Sequence, residues 1–286
     1  MRTNTETWRR ASRALCISVL VLAAAGQAYA QQPAPAKKAP AAAAAAVTES
    51  QAQARAILMR MAELLGGTQS YSVSLRAGYD AVQKSGQKIE FGESRKVTLS
   101  RPDRLRVEGE RSDGAKTLTV FNGKEIVLID AANKVYATAP QAGGLDDTVV
   151  YFVRDLGVRF PLAVMLMSRL PTEFEERVRS VDYVEKTSIH GALSHHLAAR
   201  TDTVDFQIWV ADGDKPLPLR VVLTYKMAAG QPQFWAQFFD WNLAPAITDS
   251  TFSAEVPEGL QKIAFAAQLP RMSTAARKPA AAKGAK

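Results

Sequence analysis

Residues 101–140, RPDRLRVEGERSDGAKTLTVFNGKEIVLIDAANKVYATAP, read as consecutive strands joined by tight turns, and the rest of the chain is arranged around them. Leu105 and Val107 alternate with charged neighbours, and Leu118 and Val120 alternate with threonines. A period of two gives a strand one dry face and one wet face. Asn122-Gly123 falls between two such runs. Asn-Gly supplies the positive φ that a tight hairpin requires, so residues 117–121 and 124–130 are expected to pair antiparallel. A second turn through Ala131-Ala132-Asn133 returns the chain into residues 134–138.

On the N-terminal side, residues 49–65 place Ala54, Ile57, Leu58, Met61, Leu64 and Leu65 on one helical stripe, and Gly66-Gly67 ends it. Such a stripe is expected to pack on a sheet. Residues 71–79 alternate, with Tyr71, Val73 and Leu75 on one face. Lys84-Ser85-Gly86 then turns the chain into residues 87–99, which carry Ile89, Phe91, Val97 and Leu99. Together with the opening stretch this makes a meander of about six strands, wide enough for native twist to curl it into an open barrel.

On the C-terminal side the period changes. Residues 145–170 have helical spacing, with Asp146-Asp147 in the first turn, a break near Phe160-Pro161 and another at Pro171. Phe152, Phe160, Met165, Leu166 and Met167 are more apolar than one exposed helix face holds, so these short helices are expected to lie on the inner face of the curled sheet. Strands resume at 178–189, 194–199, 204–210, 219–226 and 234–242. The turns between them contain Gly191-Ala192, Asp212-Gly213-Asp214 and Ala229-Gly230-Gln231. In the last strand Phe234 and Phe238 alternate with Trp235, Phe239 and Trp241, so either both faces are covered or one faces a ligand.

The ends of the chain are not fold. Arg2, Arg9, Arg10 and Arg13 precede an apolar run from Ala14 to Ala25 and the small-residue pattern Ala28-Tyr29-Ala30. That is the form of a signal peptide over residues 1–30, cleaved after Ala30, and its apolar run is too short for an anchor. No transmembrane anchor is expected after processing. Residues 31–48 read as a linker of Ala, Pro and Lys, 49–270 as the folded domain, and 271–286 as a basic disordered tail. Cys16 is the only cysteine and has no small-residue lipobox before it, so the processed chain carries neither a disulfide nor a lipidated thiol.

The formal charge of +8 invites a nucleic-acid reading, but its distribution opposes one. Of 36 basic and 28 acidic residues, the leader takes four and one and the linker and tail take seven and none, leaving 25 against 27 in residues 49–270. A near-neutral domain lacks the basic footprint that phosphate binding demands, so no nucleic-acid partner is expected.

Chemistry-bearing residues are sparse. His190, His195 and His196 fall close together, but adjacent strand residues point to opposite faces and no cysteine accompanies them, so no metal is assigned. Asp205 and the histidines lack a strained nucleophile turn. Asp146-Asp147 and Glu175-Glu176 are sequence neighbours of the kind that mark helix starts or wet faces. No dinucleotide or P-loop pattern is present. No catalytic residue and no cofactor is assigned. What remains is apolar capacity: a curled sheet closed by Phe- and Met-bearing helices either encloses acyl chains or is filled by its own side chains, and alternation alone does not separate these.

Several residues resemble a known family. Arg101-Pro102 after a strand, Asn122-Gly123-Lys124 leading to a strand and a short turn into Lys134-Val135-Tyr136-Ala137, and Phe252 with Pro257-Glu258-Gly259 resemble the lipoprotein-localisation fold of LolA and LolB. Gly191 followed by His195-His196-Leu197, Trp209 before Asp212-Gly213-Asp214, Pro216-Leu217-Pro218-Leu219-Arg220 and Trp241-Asn242 are similar to the exported proteins of domain-of-unknown-function family 2092. The likeness runs over residues 50–265. It implies an α+β, mostly antiparallel fold: a half-open barrel of about eleven strands with an N-terminal helix and short lid helices over an apolar cavity.

In the periplasmic lipoprotein carrier the arginine of the Arg-Pro pair bonds to the lid, and the resemblance gives Arg101 that role. The ligand-binding and lid candidates are then Arg101, Leu105, Val107, Leu118, Val120, Phe152, Phe160, Met165, Leu166, Trp209 and Phe238. Here the segment between the sheet halves is longer and has its own prolines, and the missing lipobox departs from the outer-membrane receptor. The implied function is a non-enzymatic periplasmic carrier for a lipid or lipoprotein acyl chain. The alternatives are an envelope protein-interaction module with a filled core and, third, a hydrolase using His195 or His196.

Overall fold

The computed structural model describes residues 41–158 and 160–265. The expected leader, the first part of the linker and the basic tail lie outside the described residues. Helix α1 (Ala41–Gly67) begins within the alanine run rather than at residue 49. Ala54, Ile57, Leu58, Met61, Ala62 and Leu65 are buried on its inner stripe, as their spacing requires.

Two antiparallel meanders follow. The first holds β1 (Ser70–Val82), β2 (Lys88–Ser100), β3 (Arg104–Arg111), β4 (Lys116–Phe121), β5 (Glu125–Asp130) and β6 (Val135–Pro140). The second holds β7 (Ser180–Ile189), β8 (Ala192–Arg200), β9 (Val204–Ala211), β10 (Pro218–Tyr225) and β11 (Gln233–Asn242). β1 pairs with β11 and joins them into one sheet, and β12 (Gln261–Lys262) adds in parallel beside β6. The sheet does not close, since β12 and β7 remain its edges. The fold is thus the expected half-open barrel, with twelve strands.

Turn chemistry sets the register of the first meander. Gly123 has φ 83°, and the Asn122 side chain accepts the Lys124 and Glu125 amides, so Phe121 pairs with Ile126 across the turn. The last strand departs from simple alternation. Between Ser72 and Ser74 the β1–β11 register slips, with Asp240 at φ 55°. This bulge turns Trp241 inward, against the expectation that it shares a face with Trp235 and Phe239. Its ring lies 5.8 Å from that of Phe238 and 5.5 Å from that of Tyr71.

The segment between the meanders forms the lid. α2 (Leu145–Val150) runs into a π turn (Tyr151–Asp155); a 3-10 turn (Ala163–Leu166) and α3 (Leu170–Arg177) follow. Pro171 does not break a helix, as its position suggested. It sits in the first turn of α3, where the missing N–H has no intrahelical acceptor to lose. α1 packs on α3 and on β7, β8 and β9 of the second meander.

The convex face has a cover of its own. After β11 the chain crosses it as a strap, whose 3-10 turn (Asp249–Phe252) is capped reciprocally by Thr248 and Thr251 and packs over β3. Phe252 is buried there, as are Val120 and Val127, which pair across β4 and β5. All three lie outside the main core cluster.

Candidate functional site

The concave face is read from the register. Leu99 pairs with Leu105 and Val97 with Val107, and Leu105 pairs in turn with Phe121. All of these residues are buried in the main core, together with Tyr71, Val73 and Leu75 of β1 and Phe234 and Phe238 of β11. The lid supplies buried Phe152, Met165 and Leu166 to the same core, with Phe160 packed against it. Phe152 meets Phe160 edge to face at 6.0 Å.

Three expected trough residues face the other way. Val107 pairs with Thr119, so the inward residues of β4 are Thr119 and Phe121, and Leu118 and Val120 point to the convex side opposite Glu108 and Arg106. Trp209 lies between Ile208 and Val210, which are the inward pair. Its indole stacks on His196 at 4.0 Å, and the Arg220 guanidinium lies 5.6 Å above it and 5.4 Å from the Trp235 ring. Arg101, Leu105, Val107, Phe152, Phe160, Met165, Leu166 and Phe238 are therefore brought together, while Leu118, Val120 and Trp209 are not.

The trough is divided. A cavity of about 40 Å³ lies among Tyr71, Leu75, Arg95, Phe234, Phe238 and Trp241, and a second of about 210 Å³ lies among Phe174, Val178, Phe206, Ile208, Val221 and Leu223. Leu162 and Met165 line both, so these two lid side chains form the partition. Leu105, Val107 and Phe152 line neither. The sequence reading missed Leu162, which holds φ 64° and thereby aims the 3-10 turn into the trough. A single leucine at positive φ leaves no pattern in the sequence.

Arg101 fastens the lid. Its Nε donates to Thr68 O at 3.2 Å, its Nη2 to Leu65 O at 3.2 Å and its Nη1 to Leu166 O at 3.0 Å. One guanidinium thus ties the frayed end of α1 to the 3-10 turn of the lid. Asp146 stands 3.9 Å from Nη1 and accepts the amide and hydroxyl of Ser168, each at 2.8 Å. The approach is close enough that a methyl group on Gly66 would come within 2.5 Å of Ser168 O. Tyr71 lies buried beneath; burial drives its phenol pKa well above the ordinary tyrosine value, and Arg101 opposes the shift only in part. Beside the smaller cavity, the Arg95 guanidinium stacks 5.3 Å from the Phe160 ring while bonded to Glu93 at 2.8 Å.

The three histidines take separate partners. His195 bridges the Tyr183 hydroxyl (3.1 Å) and Asp212 (3.0 Å), and Lys186 also reaches Asp212. The Lys186 bond, followed by that from His195, holds the Asp212 carboxyl below the usual range. His196 bonds Gln207, and His190 meets the Gln237 amide. Among the described residues no group of three or more His, Cys, Asp or Glu side chains converges as a metal site would require. A cleft of about 520 Å³ lies on the convex face along Ser74, Lys96, Glu108, Leu118 and Ile129. No helix among the described residues is long and apolar enough to cross a membrane.

A family model described as predicted periplasmic protein (DUF2092) matches residues 54–266. No curated protein sequence matches the chain. Among solved structures, the Mycobacterium tuberculosis lipoprotein LppX is 11% identical with a TM-score of 0.45, covering 70% of this chain and 100% of its own. An uncharacterized conserved protein from Thermus thermophilus is 12% identical with a TM-score of 0.44, covering 74% and 99%. A LolA superfamily protein from Nitrosomonas europaea is 11% identical with a TM-score of 0.38, covering 70% and 97%.

Proposed function

This chain belongs to the DUF2092 family of predicted periplasmic proteins, and we propose that it is a non-enzymatic periplasmic carrier or binding protein for a hydrophobic ligand, a lipid or lipoprotein acyl chain. With this reading go a leader removed after Ala30, a linker over residues 31–48, a carrier domain over 49–270 and a basic tail over 271–286. The observation that supports it is the origin of what fills the trough. Leu162, Met165 and Leu166 belong to a connecting segment and not to the sheet, and besides their apolar packing that segment is tied to the end of α1 by polar contacts of Arg101 and Asp146. When it swings out its side chains leave with it, and Leu75, Val97, Phe234 and Phe238 become the wall of one groove. Each present cavity is smaller than the roughly 300 Å³ at the lower end of ligand pockets, so in this reading the conformation is the closed one. Arg101 is the latch.

The test is direct. Protein purified from the envelope is examined by native mass spectrometry and then mixed with a fluorescent fatty-acyl probe. A co-purifying lipid mass or saturable uptake of the probe is expected. If both are absent in the wild type and in Arg101→Gln, whose lid is loosened, the carrier reading fails.

A second reading, an envelope interaction module with a filled core, draws on the convex cleft, which is wider than either trough cavity. A reproducible crosslink from that cleft to another envelope protein, with no lipid in the trough, would favour it.

A further inference from the structure

We propose that the end of the sheet formed by the β1–β2 and β10–β11 hairpins docks the protein on an anionic lipid surface. The proposal deepens the carrier reading, and only its final step, uptake of cargo through this end, rests on that reading.

The two hairpin turns form one unit. Lys88 Nζ donates to Gln231 O at 3.0 Å, the Gln233 amide donates to the Asp80 carboxylate at 2.9 Å, and Gly230 lies against the Val82 side chain. Four large apolar residues are left open at this end: Met227 is 78% exposed, Phe91 44%, Ile89 39% and Tyr79 38%. Met227 is the most exposed of the large hydrophobic residues among those described. Tyr79 and Phe91 pair across β1 and β2 with their rings stacked at 5.9 Å, so the patch is ordered and held flat.

The patch continues the trough. Tyr79 and Phe91 share the inward parity of Leu75 and Val97, and Tyr79 pairs on its other side with Phe234, which lines the smaller cavity. Between the patch and Phe160 lie buried Ala77 and the Glu93–Arg95 ion pair at 2.8 Å, so the open apolar surface is confined to the residues nearest the turns. A monomeric soluble domain has reason to hide such a strip unless something apolar meets it.

Charge identifies the partner. Residues 80–90 and 226–232 contain Lys84, Lys88 and Lys226 against Asp80 and Glu90, which pair with each other where the two strands enter the turn, so the turns themselves carry only lysines. Lys88 faces Asp80 at 3.8 Å and Lys226 bonds Asp205 at 2.8 Å, while Lys84 has no carboxylate within 4 Å among the described residues. Apolar side chains that enter the headgroup boundary beside an unpaired lysine, here Lys84, are the chemistry of an interfacial anchor on anionic lipid. Docked in this way, the open end of the sheet meets the acyl layer, and a chain passing along Phe91, Tyr79 and Phe234 reaches the lid beside the Glu93–Arg95 ion pair.

Cosedimentation of the full chain with vesicles of phosphatidylglycerol and phosphatidylethanolamine, against phosphatidylcholine alone, tests this. Binding to the anionic vesicles that falls as salt rises, with little on the neutral ones, is expected. Lys84→Gln should weaken binding about fivefold, and Phe91→Ser with Met227→Ser about tenfold or more. Both variants change exposed residues, and their melting temperatures, measured alongside, should match the wild type. A wild type that ignores anionic vesicles, or well-folded variants that bind as tightly as it does, overturns the docking. Probe uptake from detergent-free solution is measured separately: docking without uptake overturns the carrier reading and leaves the docking in place.

Discussion

At the scale of single residues, Arg101 has the largest effect for its size. Its three donated bonds run to part-buried backbone carbonyls at a helix end and in the lid. Removing the guanidinium in Arg101→Gln orphans them, and since hydrogen bonds involving a charged group contribute about 1.5–3 kcal/mol each and are not additive, a net loss of about 2–4 kcal/mol is expected in chemical denaturation. Amide exchange in residues 160–168 should accelerate more than exchange in β3. Lysine should not rescue, because a point ammonium does not span three carbonyls in a fixed plane. Tyr71 gives the pH signature of the same site. Its phenol pKa is raised in the folded state, so the folded protein holds that proton more tightly, and the resulting stability is fully present below the ordinary tyrosine value and is lost as pH rises above about 10. Melting temperature should therefore fall more steeply above that pH in the wild type than in Tyr71→Phe; identical alkaline limbs would show that the hydroxyl is not enclosed.

At the scale of elements, the strands were legible because their turns carry explicit chemistry: Asn122-Gly123, Lys84-Ser85-Gly86 and Asp212-Gly213-Asp214 all fall between paired strands. The face each strand presents was harder. Alternation says that a strand has two faces but not which is inside, and here the strap covers Val120 as well as the lid covers Leu105. Alternation is therefore equally compatible with Leu118, Val120 and Trp209 in the trough, and the pairing of Leu105 with Phe121 and the neighbours of Trp209 put them outside it. A two-residue parallel strand such as β12, Gln261–Lys262, has no apolar pattern to read. The lid was legible as apolar helical sequence, yet the partition depends on Leu162 at positive φ, which composition does not reveal. The consequence is testable on the lid itself. Met165 lines both cavities, so Met165→Ala should merge them; cavity formation of this kind costs about 2–5 kcal/mol in the free protein. On the carrier reading the variant should bind the acyl probe more tightly than the wild type, because the probe fills space the side chain has left, and a smaller loss of stability in the probe's presence would register the same effect.

At the scale of the whole molecule, one sheet serves two separately covered faces. The concave face is closed by a segment held through buried apolar side chains and the polar contacts of Arg101 and Asp146, whereas the convex face of the first meander is closed by a strap whose Phe252 is buried and which continues into β12. The Phe252 end of the strap is separate from the lid, since Phe252, Val120 and Val127 stand outside the core cluster that contains it, although past β12 the same segment places Phe265 in that core, edge to face with Phe152 of the lid at 6.3 Å. If the faces are energetically independent, Phe252→Ala should lower stability by about 3–5 kcal/mol, the usual cost of emptying a buried phenylalanine site, and leave lid exchange and probe uptake at their wild-type values. Met165→Ala and Arg101→Gln should do the reverse to uptake at comparable cost in stability. Additivity of the Phe252 and Met165 effects in a double variant checks the separation, since sites that share no partners add to within about 0.5 kcal/mol. A coupling well beyond that would mean that loosening the strap lets the sheet uncurl, so that the curvature of the trough depends on the strap, and the two covers would then act as one device.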